Sequence, residues 1–113
     1  FGTTMREVGD RWNSIHAALE RNNHELALHH WEELHEAMAN GVVRRPGRKA
    51  SADRYFFESV SAEVKQDFAS GDPERAWRGF EKGREACMAC HVAESMPFLN
   101  DQAMFDRRTP GAE

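Results

Sequence analysis

Hydrophobic residues recur at steps of three and four in four separate stretches, which is the spacing of amphipathic helices. The first stripe is Met5, Val8, Trp12, Ile15 and Leu19, and the second is Ala27, Trp31, Leu34 and Met38. The third is Phe56 or Phe57, Val60, Val64 and Phe68, and the fourth is Ala76 or Trp77, Phe80, Gly83 or Arg84, Cys87 and His91. The pattern therefore predicts helices over about residues 4–21, 24–40, 52–70 and 73–95, with no strand.

Residue types typical of helix ends flank these stripes. Thr4 and Glu7 have the spacing of a capping box, which predicts the start of the first helix. Asn22-Asn23 predicts a break followed by a new cap, and Asn40-Gly41 predicts the end of the second helix. Asp72-Pro73 supplies a cap and a first-turn proline for the fourth.

Four helices in 113 residues form one domain, and mostly short connections favour antiparallel packing. We therefore expect an all-α fold, an antiparallel up-down-up-down four-helix bundle spanning residues 1–113. The longest connection is Val42 to Ala50, which contains a basic run from Arg44 to Lys49. We interpret this run as a solvated loop; docking of an acidic partner protein or a membrane surface is the alternative. Phe98 to Glu113 is predicted to be an irregular tail.

The charge balance limits the class of partner. The chain has 15 Lys and Arg against 19 Asp and Glu, a formal net charge of -4, which argues against nucleic acid as a partner. No apolar run approaches the roughly 18 residues of a membrane span, so no transmembrane segment is expected. The 3 Trp, 7 Phe and 5 Met residues are large enough to line a pocket.

The chain has two cysteines, and they stand in Cys87-Met88-Ala89-Cys90-His91. C-x-x-C-H is the attachment signature of c-type haem. The two thiols, about one helical turn apart, add to the vinyl groups on one edge of the porphyrin, and the adjacent imidazole binds the iron as proximal ligand. The motif therefore predicts one covalently attached haem c, with His91 as an iron ligand.

Other sites built on these residue types are less consistent with the sequence. A thioredoxin-like dithiol needs a strand before the motif, and a helical stretch precedes it. A structural zinc site needs two further ligands at knuckle spacing, and no second cysteine pair exists. Glu32 and His35 form an E-x-x-H step, but no second step faces inward from another helix, as a di-iron bundle would require.

The predicted antiparallel order brings the end of the fourth helix level with the beginning of the first. The haem is therefore expected against Met5 and Val8, with Trp12 one turn deeper. Arg78, Lys82 and Arg84 precede the motif, and one of them is a candidate partner for a haem propionate; solvent exposure is the alternative for all three.

Four predicted helices with C-x-x-C-H near the C-terminus resemble the cytochrome c prime family and its low-spin relatives. In that family a first-helix residue faces the distal side of the haem: a ligating Met in low-spin members, an apolar residue beside an open site in high-spin members. Met5 matches this position, so the resemblance implies Met5 as the distal ligand. His16, Met96 and Met104 are the alternative sixth ligands.

Covalent haem is attached outside the cytoplasm, so we expect an exported, periplasmic bacterial protein in its mature form. The expected function is one-electron transfer with unidentified redox partner proteins, and not catalysis. The alternative is a five-coordinate haem that binds nitric oxide or carbon monoxide. A peroxidase is disfavoured because the expected distal wall lacks an acid–base residue. A homodimer through the first two helices agrees with the resemblance, although the composition does not require one.

Overall fold

The computed structural model describes residues 1–111, and this part of the chain is helical without any strand, as predicted. The helices are α1 (Gly2–Glu20), α2 (His24–Arg44), α3 (Lys49–Ala52), α4 (Ser61–Ala69), α5 (Pro73–Ala93) and α6 (Ala103–Asp106). Two 3₁₀ turns, Pro46–Arg48 and Pro97–Asn100, and a wider π turn, Asp53–Phe57, connect them. None of the helices within residues 1–111 has the length and apolar character needed to cross a membrane.

The core lies where the predicted stripes of the long helices meet. Helix α1 packs most extensively on α2, α4 packs on α5, and α2 and α5 also contact α4 and α1 respectively. At the centre, Trp12 stacks on Phe80 with ring centroids 4.3 Å apart, and Trp31 meets Phe68 edge-on at 5.9 Å. The core stripes are confirmed by the burial of these residues: Val8, Trp12, Ile15, Leu19, Ala27, Trp31, Leu34, Met38, Phe56, Val64, Phe68, Ala76 and Phe80.

The helix starts at Asn23 and Asp72 are confirmed. The Asn23 side chain accepts a hydrogen bond from the Leu26 amide at 3.1 Å, and Asp72 accepts one from the Glu74 amide at 3.0 Å. Gly71, just before the second cap, has φ +75°, a conformation that glycine adopts without steric cost. Both caps depend only on neighbouring residues.

The start of α1 and the end of α2, which lie against each other, differ from the prediction. The capping box is wrong, because α1 begins at Gly2 and Thr4 lies inside the helix with its side chain buried. Its hydroxyl accepts a hydrogen bond from Arg44 Nη2 at 3.2 Å. Gly41 is also no helix stop, since α2 continues to Arg44. A Cβ at Gly41 would overlap the Thr4 side chain, so this glycine allows the two helices to approach closely.

The predicted third helix over 52–70 is interrupted. The Glu58 amide donates to the Asp53 carbonyl, five residues back, at 2.8 Å, and a new helix, α4, begins only at Ser61. The wider turn allows Phe56 to enter the core beside Trp31 while the adjacent Phe57 packs edge-on to His35 at 5.0 Å. Packing of two consecutive aromatic rings against α2 therefore favours a break over a continuous helix.

The prediction of an irregular tail is also wrong over residues 97–106, where a 3₁₀ turn packs on α5 and α6 packs on α1. Phe105 is 1% exposed, and its carbonyl accepts a hydrogen bond from Arg84 Nε at 2.9 Å. Further on, Arg107 donates to Asn13 Oδ1 at 2.8 Å. The tail is thus held on α1 and α5; residues 112–113 of the predicted tail lie outside the described part of the chain.

Candidate functional site

A cavity of about 60 Å³ lies between the last turns of α5 and the first turns of α1, with walls from α2 and the connection after it. Its lining residues are Phe1, Met5, Val8, Leu34, Met38, Arg48, Ala52, Phe56, Ala86, Cys87, Cys90, His91, Glu94, Met96 and Leu99. A more open groove of about 410 Å³ shares several of them, including Met5, Val8 and His91. Most of the lining is aliphatic, aromatic or sulfur-containing, so the enclosed space is apolar.

All three residues of the attachment motif line this cavity. Cys87 and Cys90 are free thiols on the same face of α5, one turn apart. Burial, and secondarily the neighbouring Cys90, raises the pKa of Cys87 to about 12, and burial also raises the pKa of Cys90. A thioredoxin-type dithiol depends on a depressed thiol pKa. The cavity therefore disfavours that chemistry.

His91 is buried, 8% exposed, and its ring is held by the tail. Its Nδ1 lies 2.9 Å from Asn100 Oδ1, and Asn100 Nδ2 donates to the Met88 carbonyl at 3.2 Å. A carbonyl only accepts, so the Met88 contact orients the Asn100 amide with its oxygen toward His91. In the neutral ring this contact places the proton on Nδ1 and leaves the Nε2 lone pair free, the arrangement typical of a metal-ligating histidine.

Helix α1 contributes Met5 and Val8 to the opposite wall of the cavity. Met5 belongs to a formed helical turn, since its amide donates to the Phe1 carbonyl at 3.0 Å. Trp12 does not line the cavity. It is fully buried one turn further along α1, between Phe80 and Gly83, where an added Cβ would lie 2.9 Å from the Trp12 ring.

Of the three alternative sixth ligands, only the two methionines lie near the cavity. Met96 lines the cavity and Met104 lines the adjoining groove, so two tail methionines share this region with Met5. His16 does not line either space. Its Nε2 lies 3.0 Å from the Arg108 carbonyl and its Nδ1 lies 3.3 Å from Glu20 Oε1.

The charged rim of the cavity comes from a residue that the sequence did not single out. Arg48, in the predicted solvated loop, lines the cavity and donates to Glu94 Oε1 at 2.5 Å. Ser51 donates to the other Glu94 oxygen at 2.7 Å. Hydrogen bonds from Ser51 and Arg48 lower the pKa of Glu94, so the carboxylate stays ionised at neutral pH.

Two of the cations predicted as propionate partners are engaged elsewhere. Lys82 pairs with Glu63 at 2.7 Å and Asp67 at 3.0 Å, and Arg84 binds the Phe105 carbonyl. Arg78 lines a separate surface groove. The basic run after α2 was the available signal for Arg48, but its approach to the end of α5 depends on tertiary packing.

Among residues 1–111, no three His, Cys, Asp or Glu side chains converge on a point where they would hold a metal ion by themselves. Compared with known proteins, the chain matches no family model, no curated protein and no solved structure. Within this part of the chain, the two thiols of Cys87 and Cys90 and the His91 ring lie together at one end of α5, beside an apolar cavity.

Proposed function

We propose that this chain is an exported mono-haem c-type cytochrome that carries one electron, with the antiparallel up-down-up-down four-helix arrangement of the cytochrome c prime class. One observation carries the proposal. The C-x-x-C-H residues at the end of α5 share an apolar cavity with Met5 and Val8 at the beginning of α1, although about 80 positions separate the two segments. That juxtaposition is what the family resemblance implies.

Four side chains would hold the haem, two by covalent attachment and two by ligation of the iron. Cys87 and Cys90 would attach the porphyrin through thioether bonds, and His91 Nε2 would ligate the iron from the proximal side. Met5 is the proposed distal ligand, with Val8 packed beside it. When bound, the haem supplies one-electron chemistry at its iron, and His/Met ligation raises the reduction potential.

The remaining wall residues would exclude water from the cavity or place a charge at its rim. Leu34, Met38 and Phe56 keep water away from the cavity, which limits the reorganisation that accompanies a change in iron charge. Arg48 places a cation at the rim, where it is paired with the Glu94 carboxylate. From α1 the wall offers Met5 and Val8, neither of which transfers protons, so we propose no catalytic role.

The test is production of the full chain with export into a bacterial periplasm competent for c-type haem attachment. We expect an intact mass increased by one haem and a low-spin spectrum that does not respond to carbon monoxide. A colourless protein with the mass of the bare chain, recovered after correct export, would overturn the proposal. Periplasmic location and redox partner proteins follow from the same proposal.

The second candidate is a five-coordinate haem that binds nitric oxide or carbon monoxide. One observation supports this candidate: the Met5 side chain is only partly buried and lines the open groove. A high-spin spectrum that shifts on addition of carbon monoxide would support this candidate against the electron carrier.

Replacing the groove methionines separately identifies the ligand. Met5→Ala is expected to convert the spectrum to high spin and lower the potential, while Met96→Ala and Met104→Ala leave it low-spin. Loss of the low-spin spectrum in either tail variant, with Met5→Ala unchanged, would assign the ligand to the tail.

A further inference from the structure

We propose that Asn100 is a positioning residue for the haem: its side chain fixes the His91 ring and lowers the reduction potential of the bound iron. This inference rests on the proposed function, because it assigns His91 as proximal ligand. It concerns the tail after α5, a segment to which the attachment motif assigns no role.

The geometry couples Asn100 to the motif at two points. Its Oδ1 accepts the His91 Nδ1 proton at 2.9 Å, and its Nδ2 donates to the carbonyl of Met88, inside the C-x-x-C-H turn, at 3.2 Å. A single side chain thus binds both the ligand ring and the backbone that carries it. Rotation of the imidazole would break the first bond, and reversal of the amide would set two oxygens against each other.

The neighbouring tail residues hold Asn100 in place. Phe105 packs edge-on against the His91 ring at a centroid distance of 5.7 Å, and its carbonyl is bound by Arg84 on α5. Pro97 begins the 3₁₀ turn that ends at Asn100. Asn100 and Phe105 therefore both contact the His91 ring from the tail.

The expected electronic effect follows from charge. An acceptor on Nδ1–H increases the electron density that the imidazole donates through Nε2, which stabilises ferric iron more than ferrous iron. Outer-shell partners of metal ligands typically change metal affinity or activity by about 10- to 100-fold when mutated. Removing the Asn100 acceptor should therefore raise the reduction potential.

The experiment compares the haem-loaded wild type with Asn100→Leu and Asn100→Asp by redox titration. Leu keeps a similar size without an acceptor, and we expect about a tenfold shift of the ferric-to-ferrous ratio toward ferrous at fixed potential, which is 59 mV for one electron. Asp places a carboxylate on the same proton, so its potential should fall below that of the wild type. Phe98→Ala, in the same 3₁₀ turn but 67% exposed, is the matched control and should leave the potential unchanged.

Opposite shifts from Leu and Asp are the signature of an electronic effect, because mere loosening of the tail would move both variants the same way. A wild-type potential in both variants, or equal shifts of one sign, overturns the inference and leaves the cytochrome proposal intact. If Asn100→Leu fails to retain haem, the sign of the shift in Asn100→Asp decides alone. A wild type without haem would overturn both.

Discussion

The two halves of α5 have opposite surroundings although they belong to one continuous helix. In the N-terminal half, Ala76, Gly79, Phe80 and Gly83 are buried against α1 and α4. In the C-terminal half, every residue from Ala86 to Cys90 is only half-buried. We call these the closed half and the open half of α5.

Side chains from α1 and α4 pack directly on the closed half. Glycines let neighbours approach: an added Cβ at Gly79 would lie 2.7 Å from Asp67 Cβ, and one at Gly83 would meet the Trp12 ring. Asp67 is buried, and its carboxylate accepts hydrogen bonds from Arg75 at 2.8 Å and Lys82 at 3.0 Å. Both oxygens of this buried carboxylate are therefore paired.

The open half presents apolar groups to a cavity. Cys87 and Cys90 face it together with Met5 and Phe56, and the polar bonds of this end belong to its margins, at Glu94 and at the tail. The comparison indicates that packing closes one half, while the other half faces a cavity, where we propose that the haem binds. Mutations in the two halves should therefore separate stability from haem attachment.

The largest expected effect is on the open half. Replacing both cysteines, Cys87→Ser with Cys90→Ser, removes both thioether bonds, so we expect complete loss of covalent haem. Intact mass and absorbance of the exported protein provide the measurement. Ala89→Ser, which introduces a hydroxyl between the cysteines and keeps both thiols, is the control and should retain the haem; equal loss in the control would show that attachment fails for another reason.

The next effect belongs to the closed half. Phe80→Ala leaves a cavity beside Trp12, and we expect the free energy of unfolding to fall by about 3–5 kcal/mol in urea titrations while the haem stays attached. The exposed Phe98→Ala should change it by about 0.5 kcal/mol or less. Equal losses for the two variants would mean that the core does not lie where α1 and α5 meet.

Gly79→Ala tests the close approach of α4 and α5. The added methyl group would press on Asp67 Cβ, and overpacking of this kind costs about 1–3 kcal/mol. Gly47→Ala is the matched control, since its Cβ would meet nothing within 4 Å. Chemical denaturation of both variants decides, and a Gly79→Ala variant as stable as the control would contradict the packing described for Asp67.

The smallest expected effect is on the pH dependence of the free energy of unfolding, to which Asp67 beside the closed half contributes. Burial acts to raise the pKa of Asp67, but hydrogen bonds from Arg75 and Lys82 outweigh it and the pKa is lowered. Its stabilisation is therefore present above the ordinary aspartate pKa of about 4 and is lost as the pH falls through the lower folded-state value. Asp67→Asn should flatten this part of the stability profile; identical acid profiles for the two proteins would show that Asp67 does not contribute.

Several features could be predicted from the sequence because each depends on residues close together in the chain. The cap at Asn23 and the start at Asp72-Pro73 need only their own helical turns. The attachment motif is equally local, and the spacing of its two thiols holds on any helix. Burial of most residues in the first, second and fourth stripes follows from helical periodicity, whereas the third stripe is interrupted by the π turn.

Other features were decided by tertiary structure, because they depend on contacts between distant residues. Thr4 has the local spacing of a cap, but a long-range bond to Arg44 and the space beside Gly41 place it inside a helix. The approach of Arg48 to Glu94 joins residues 46 positions apart. Asn100 became a partner of His91 only when the tail folded back onto α5, where packing of Phe105 outweighed the weak helix preference of a short segment.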